Sequence, residues 1–465
     1  MDSSGKKTNH LQKLSSLNAW ALSLGCIVGW GAFILPGTTF LSSAGPVGSI
    51  IGIIIGCILF VILSRAEAYM ITQIPSNGGI FNYVNKVLGR GHAFLSAWVL
   101  CFSYISMLWL NTSNIALFCR YIFGDIFLWG FHYQIGGYDI FFGEILLGMV
   151  AIAIFSFLLC YGKKYTLIIQ NILAISLVVS IVALLLGTIV VTPEFSQVFK
   201  PAFVPEKPKL IQIYHILLFA PWMFIGFESI SMSSGDFGFP VKKINWIMPL
   251  AVVMGGLSYC ILNVIASATI PPDYHSNAEY IQNLGNLEGI ESFPVLYSAY
   301  NHFGHAGVVL LGIAVLSALA TSMIGVPKAL ARLIKSMADE KLLPGRFSEL
   351  NKDGVPQNAV LLIMFFIFFV LFLGRTTASW FTDALSINAT LVFMYTSVCC
   401  YICAKKEGNE IKRKLGIVGI VISLALFLLP LLTSMFLGSI FATESYFILA
   451  VWGIAAYIIT VYISD

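Results

Sequence analysis

Charge is what this sequence has least of. Only 10% of its 465 residues are Asp, Glu, Lys or Arg, against roughly 25% in a soluble domain. So few charges cannot coat a water-facing surface on a chain that is 58% hydrophobic. Those present lie between long apolar runs, a pattern of membrane embedding rather than of one large buried core. A paired cysteine framework is also missing. The nine cysteines at 26, 57, 101, 119, 160, 260, 399, 400 and 403 all fall in apolar runs. Cys399, Cys400 and Cys403 have no His or acid beside them in sequence, which makes them small packing residues rather than metal ligands. Metalloprotease and serine-hydrolase signatures are lacking too, so a membrane-embedded enzyme is not expected, nor is a cofactor. The net charge of +4 sits in short loops and requires no nucleic-acid partner.

Apolar segments dominate what remains. A helix needs about 20 apolar residues to cross the hydrocarbon. Twelve segments meet that length: 16–43, 46–72, 92–122, 139–160, 165–192, 209–235, 244–270, 304–337, 357–374, 378–403, 415–437 and 443–463. The expected fold is therefore an all-α membrane protein with 12 transmembrane helices. Residues 1–15 are expected as a cytoplasmic tail, with no cleavable signal. The one long loop, 271–303, begins with Pro271 and Pro272.

Lys and Arg set the orientation. With the N-terminus inside, twenty of the 26 basic residues fall on the cytoplasmic side, Lys6 and Lys7 among them. Only Arg120, Lys200, Lys207, Lys209 and Arg375 fall outside, and Arg65 lies within the second span. The expectation is a multi-pass protein of the cell membrane with both termini cytoplasmic.

Two spans should not be straight. The first contains Gly25, Gly29 and Gly31, then Pro36-Gly37. Each glycine weakens a helix by roughly 1 kcal/mol against Ala, and freed backbone groups in hydrocarbon need protein or a polar cavity beside them. An unwound midpoint would offer amides to an anionic group and carbonyls to a cation. The Gly25/Gly29 spacing equally fits close helix packing. The sixth span decides between the two, because Pro221, Gly226 and Glu228 interrupt it at the corresponding place. Interrupted first helices in two five-helix halves of opposite orientation point to an inverted-repeat transporter. The halves are 16–192 and 209–403, together a ten-helix core, and 404–465 supplies two extra helices.

At these residues the chain resembles the amino acid–polyamine–organocation (APC) superfamily, whose members share the leucine-transporter fold. Gly25-Cys26-Ile27-Val28-Gly29-Trp30-Gly31-Ala32-Phe33 is similar to that family's helix 1 pattern, G-x-I-I-G-S-G-I-F. Pro75-Ser76-Asn77-Gly78-Gly79-Ile80-Phe81 is similar to its P-x-x-G-G-x-Y loop. Trp222 to Ser229 resembles its helix 6 motif, most of all that of the arginine/agmatine antiporter, and Met337 to Pro344 its M-A-x-D-G-L-L-P ending to helix 8. The four matches run in order over about three-quarters of the chain. The resemblance implies that the Trp30 and Gly31 amides, beside Gly29, take a substrate carboxylate. It implies that the carbonyls of Cys26 or Ile27, and of Trp222 and Ile225, take an ammonium, with Trp222 also a gate and Asn111 facing the substrate. The chain departs from the family at Trp30, where Ser is usual, and at Leu177, where proton-coupled relatives carry Lys. The coupling ion is thus left open between sodium, held by Thr321 and Ser322, and ion-independent exchange.

Other polar residues in the spans each carry two readings. Glu228 is a gating or proton-coupling group, or a structural acid bonded to backbone. Arg65 and Glu67 are snorkelling residues or a structural pair. Asp383 and Asn388 line the pathway or cap helix irregularities. Taken together the sequence implies secondary transport of amino acids or related small amines by alternating access. The alternative is a transporter-like nutrient receptor without net flux, and short tails count against it. Oligomeric state is not legible.

Overall fold

The computed structural model describes residues 13–464 apart from 162, 206, 288 and 437–440. Residues 1–12 of the expected tail, with Lys6 and Lys7, lie outside the described residues.

The chain runs α1 (Ser16–Ile27), α2 (Gly31–Leu35), a π-turn, α3 (Leu41–Gln73), α4 (Ile80–Leu88) and α5 (Arg90–Phe123). A hairpin of β1 (His132–Ile135) and β2 (Tyr138–Phe141) precedes α6 (Phe142–Tyr161) and α7 (Lys163–Val191). Next come α8 (Lys209–Leu218), α9 (Ala220–Phe224) and a 3-10 helix over Phe227–Asp236. The rest is α10 (Ile244–Ala266), α11 (Asn277–Gln282), α12 (Pro294–Phe303), α13 (His305–Asp339), α14 (Gln357–Val370), α15 (Gly374–Lys406), α16 (Glu410–Phe436) and α17 (Thr443–Ser464).

Among the described residues nine helices are long and apolar enough to cross a membrane, and a tenth crossing is the pair Lys209–Leu218 and Ala220–Asp236, bent by 45°. Ser16–Ile27 and Gln357–Leu373 are shorter apolar helices. The difference from twelve full-length spans has local causes. The first helix stops after Ile27, and its continuation joins α3 through the π-turn. The expected boundary between the first two spans survives as a kink at Gly45, whose φ of 66° lies just before Pro46.

The hairpin is a second difference, since the sequence reading starts the fourth span at 139. Gly136 and Gly137 both have positive φ, 58° and 79°, as the two-residue turn of a tight hairpin requires. That turn lets Tyr133 and Ile140 pair across it.

The centre of the bundle is α1, which packs against α7, α10, α13 and the 3-10 helix. α5 and α3 pack against α15 on another side. The perimeter is apolar and exposed: Val190 is 83% exposed, Trp246 73% and Phe447 71%. Such a surface is stable only against lipid tails.

Candidate functional site

Both glycine-marked helices are interrupted, and the interruptions touch. α1 ends at Val28, whose φ and ψ of −93° and 89° leave the helix. The other break follows Phe224: Ile225 has a ψ of 143° and Gly226 a φ of 115°. A methyl group placed on Gly226 would lie 2.6 Å from both the carbonyl carbon and oxygen of Cys26. Glycine here serves two needs, a left-handed backbone and a close approach of two main chains.

The breaks free carbonyls. Among the described residues no backbone N–H donates to the carbonyls of Cys26 or Ile27, nor to those of Trp222 through Ile225. The N–H groups that a continuous helix would have aimed there go elsewhere. Trp30 N–H donates to Asn111 Oδ1 at 3.2 Å, and Gly226 N–H donates to Glu228 Oε2 at 2.9 Å. Six carbonyl oxygens on two touching chain segments are thus left without a backbone donor, and carbonyls freed in this way carry the partial negative charge that attracts a cation.

Asn111, on α5, does more than face the break. Its amide nitrogen donates to Ser322 Oγ at 2.8 Å, and its oxygen lies 3.0 Å from where a Cβ on Gly29 would sit. The carboxamide oxygen therefore occupies the Trp30 amide that the resemblance assigned to a carboxylate.

Gly31 opens onto an aromatic wall. A Cβ there would lie 3.1 Å from Trp222 Cζ2 and 3.5 Å from the Tyr259 hydroxyl. Trp30 turns away from that wall. Its buried indole packs edge-on to Phe118, with ring centroids 6.2 Å apart, and against Phe293 at 5.6 Å. Phe293 in turn meets Tyr121 at 5.1 Å. These rings form a layer to which Phe293, within the loop 271–303, contributes. In that loop burial pushes the Tyr280 phenol up, which keeps it a donor to the Glu291 carbonyl at 2.5 Å.

Glu228 is buried and braces the second break, accepting from Gly226 N–H and, at 2.9 Å, from the Tyr104 hydroxyl. Thr321 and Ser322 lie on α13 beside α1. The Thr321 hydroxyl donates to the Ser317 carbonyl at 2.8 Å and lies 3.4 Å from the Gly25 carbonyl. Between the same two helices Gln170, which sequence reasoning passed over, donates its amide to Ala21 O at 3.2 Å and to Thr321 O at 3.3 Å.

The remaining intramembrane polar residues separate. Arg65 and Glu67 are not a pair. The Arg65 guanidinium sits 5.8 Å from the Trp246 ring, whereas Glu67 is buried and accepts from Tyr83 and, at 2.9 Å, from Thr396. Asp383 accepts from the Ala442 N–H at 3.2 Å and caps the start of α17. Asn388 lines a cleft among α5, α15, α16 and α17.

A knot at the Leu14 end of the bundle was also missed. Leu14 N–H donates to Asp236 O at 2.8 Å, and Gly238 N–H to Leu14 O at 2.9 Å. The Asp236 carboxylate takes Arg332 Nη2 at 2.5 Å and Asn77 Nδ2 at 2.9 Å, and Arg332 Nη1 reaches Met232 O at 3.2 Å. Four segments distant in sequence are joined here. Arg332 carried no distinct sequence signal, since it lies between Lys328 and Lys335 and orientation counting treated all three as inner charges.

An apolar perimeter around two facing helix breaks is the build of a membrane carrier of small solutes rather than of an enzyme. The family model for amino acid permeases matches residues 14–461. The chain belongs to that family, and through it to the APC superfamily, as a multi-pass membrane protein. It is 23% identical to the methylthioribose transporter of Bacillus subtilis (strain 168), over 76% of this chain and 72% of that one. It is 21% identical to a branched-chain amino acid permease of Lactococcus lactis subsp. cremoris (strain MG1363), over 86% of this chain and 83% of that one. It is 20% identical to the gamma-aminobutyric acid permease of Bacillus subtilis (strain 168), over 76% and 71%.

Proposed function

We propose that this protein carries amino acids or related small amines across the cell membrane by alternating access, through twelve spans built as a 5+5 inverted repeat. In this reading 16–192 and 209–403 are the two halves and 404–465 the accessory pair, with both termini and the Leu14 end cytoplasmic. The observation that carries the reading is that the carbonyls freed at Cys26–Ile27 and Trp222–Ile225 lie on two breaks in contact with each other, with Gly31 next to the Trp222 ring. The carbonyls hold the substrate ammonium. The carboxylate displaces Asn111 from the Trp30 amide and lies beside Gly29 and Gly31. Displaced Asn111 stays tethered to Ser322, so solute entry and the packing of α5 on α13 are linked.

Glu228 couples the break to its surroundings. Its carboxylate fixes the Gly226 N–H, so loss of that bond on protonation frees the 3-10 segment to move. Ser322 Oγ already accepts from Asn111, and the Gln170 amide already donates to carbonyls of α1 and α13, so oxygens that a cation would need face N–H donors. That favours exchange or proton-linked movement over a resident sodium ion.

The test is a thermal-shift screen of the purified protein against amino acids and amines, with and without sodium, repeated on Gly31→Val. A valine methyl would invade the space next to the Trp222 ring. The expected result is stabilisation of the wild type by one class of amino acid, lost in Gly31→Val although that variant inserts and elutes as a folded protein. Undiminished binding by Gly31→Val would overturn the site.

Trp30 belongs to the layer above this site and not to its wall. Trp30→Ser should therefore lower stability by about 3–5 kcal/mol, the cost of removing a buried ring. It should leave the order of competing amino acids unchanged. Competition by unlabelled amino acids alongside melting curves decides it; a shift toward larger solutes at unchanged stability would put the indole in the pocket.

A further inference from the structure

Arg65, Lys242 and Lys412 come from three separate parts of the chain, α3, the turn before α10, and α16. They line one cleft of about 540 Å³ together with Gln73, Asn245 and Trp246. None of the three cations has a carboxylate partner among the described residues. Glu407, bonded to two cleft residues, spends one carboxylate oxygen on the Tyr69 hydroxyl at 2.7 Å and Gln73 Nε2 at 3.3 Å. Aromatic faces hold two of the cations without neutralising them: Arg65 lies 5.8 Å from the Trp246 ring and Lys412 5.6 Å from the Tyr69 ring. A cationic head group over an aromatic face keeps its charge for a third partner.

Orientation alone does not explain the cluster. Loop lysines set topology anywhere along a loop, but Arg65 lies eight residues inside the end of α3, about 12 Å along the helix. The surface leading from the cleft toward the middle of the bundle is apolar and exposed. On α10, Trp246, Leu250, Val253 and Leu257 share one helical face and are all exposed. On α3, Ile58 and Ile54 continue the row from Arg65 and are 56% and 48% exposed. An unneutralised cationic cleft continuous with an apolar helix face has the chemistry of a phospholipid, charged at one end and aliphatic beyond.

We propose that this cleft binds the headgroup of an anionic membrane phospholipid, with its acyl chains along the exposed faces of α3 and α10. The headgroup phosphate bridges Arg65, Lys242 and Lys412, and Gln73 and Asn245 supply further donors. Trp246 anchors the lipid at the interface. A bound lipid would tie α3, α10 and α16 together on the side that carries the lysine-rich loops.

The test measures binding and not transport. The purified full-length protein is titrated with phosphatidylglycerol or phosphatidylcholine and followed by native mass spectrometry and thermal shift. Each Lys or Arg near an anionic lipid is worth roughly a fivefold preference, so three together give on the order of a hundredfold. Lys412→Gln should lose about fivefold of the phosphatidylglycerol preference. The triple variant Arg65→Gln, Lys242→Gln, Lys412→Gln should lose nearly all of it while melting normally in phosphatidylcholine. Lys405→Gln with Lys406→Gln, two exposed lysines outside the cleft lining, should retain it. An undiminished preference in the triple variant overturns the proposal, as does an equal loss in the Lys405/Lys406 variant. Stabilisation by inorganic phosphate alone, matching that by the lipid, would make this a site for a soluble anion and also overturns it.

Discussion

Gly226→Ala is expected to abolish solute uptake, while Gly345→Ala, in a surface turn with no atom within 4 Å of the added methyl, leaves it unchanged. Two costs add at Gly226. Its φ of 115° is a region L residues rarely adopt, and a non-glycine residue held in such a region costs on the order of 1–3 kcal/mol. The methyl would also press on the carbonyl group of Cys26 at 2.6 Å. Main chain cannot rotate aside as a flexible side chain does, so the α1 break and the α9 break must separate. Separation parts the freed carbonyls on which the proposed solute binding rests, and it pulls the Gly226 N–H from Glu228. The measurement is uptake and solute-induced thermal shift in the same preparation. Wild-type uptake by a folded Gly226→Ala protein would mean that the two breaks do not form one site.

The places where those breaks fall were legible because they are local. Gly25, Gly29 and Gly31 in one apolar run, and Pro221, Gly226 and Glu228 in another, are each enough to stop a helix. The apolar runs also marked most of the nine long apolar helices to within a few residues, though not twelve full-length spans. What escaped the sequence depends on partners far away in the chain. Nothing near Asn111 announces that its oxygen meets the Trp30 amide 81 residues away. Nothing near Gln170 announces the carbonyls of Ala21 and Thr321. Arg65 and Glu67 were close enough in sequence to suggest a pair, yet two residues along a helix is more than half a turn, so α3 sends one to the surface and the other into the core. The hairpin was lost for a different reason: Ile140, Phe141 and Phe142 extend the apolar run of α6, and hydropathy does not distinguish a strand from a helix start.

The Leu14-end knot yields the other large effect, because it holds a nearly buried charge pair and, under the proposed alternating access, should bar the cytoplasmic route to the breaks. Arg332 and Asp236 side chains are 9% and 18% exposed. Removing one partner of such a pair leaves the other charge desolvated, at a cost near the lower end of the buried range, about 3 kcal/mol. Arg332→Met takes the guanidinium from the Asp236 carboxylate, and it also drops the bond to Met232 O. Asp236→Asn keeps the shape and removes the charge. The double variant Arg332→Met, Asp236→Asn should cost less than the two single changes together, since no unpaired charge remains. The functional consequence is read at Cys26, a free and fully buried thiol next to the breaks. In a protein keeping Cys26 as its sole cysteine, a water-soluble maleimide should label the wild type slowly. It should label Arg332→Met at least roughly tenfold faster when added from the Leu14 side, because a loss of about 3 kcal/mol in the closed state raises the open population by about two orders of magnitude. The double variant should fall between them. Labelling of Arg332→Met at the wild-type rate, with its melting temperature lowered, would leave the ion pair a structural brace and place the closing barrier on this side of the bundle elsewhere than at Asp236.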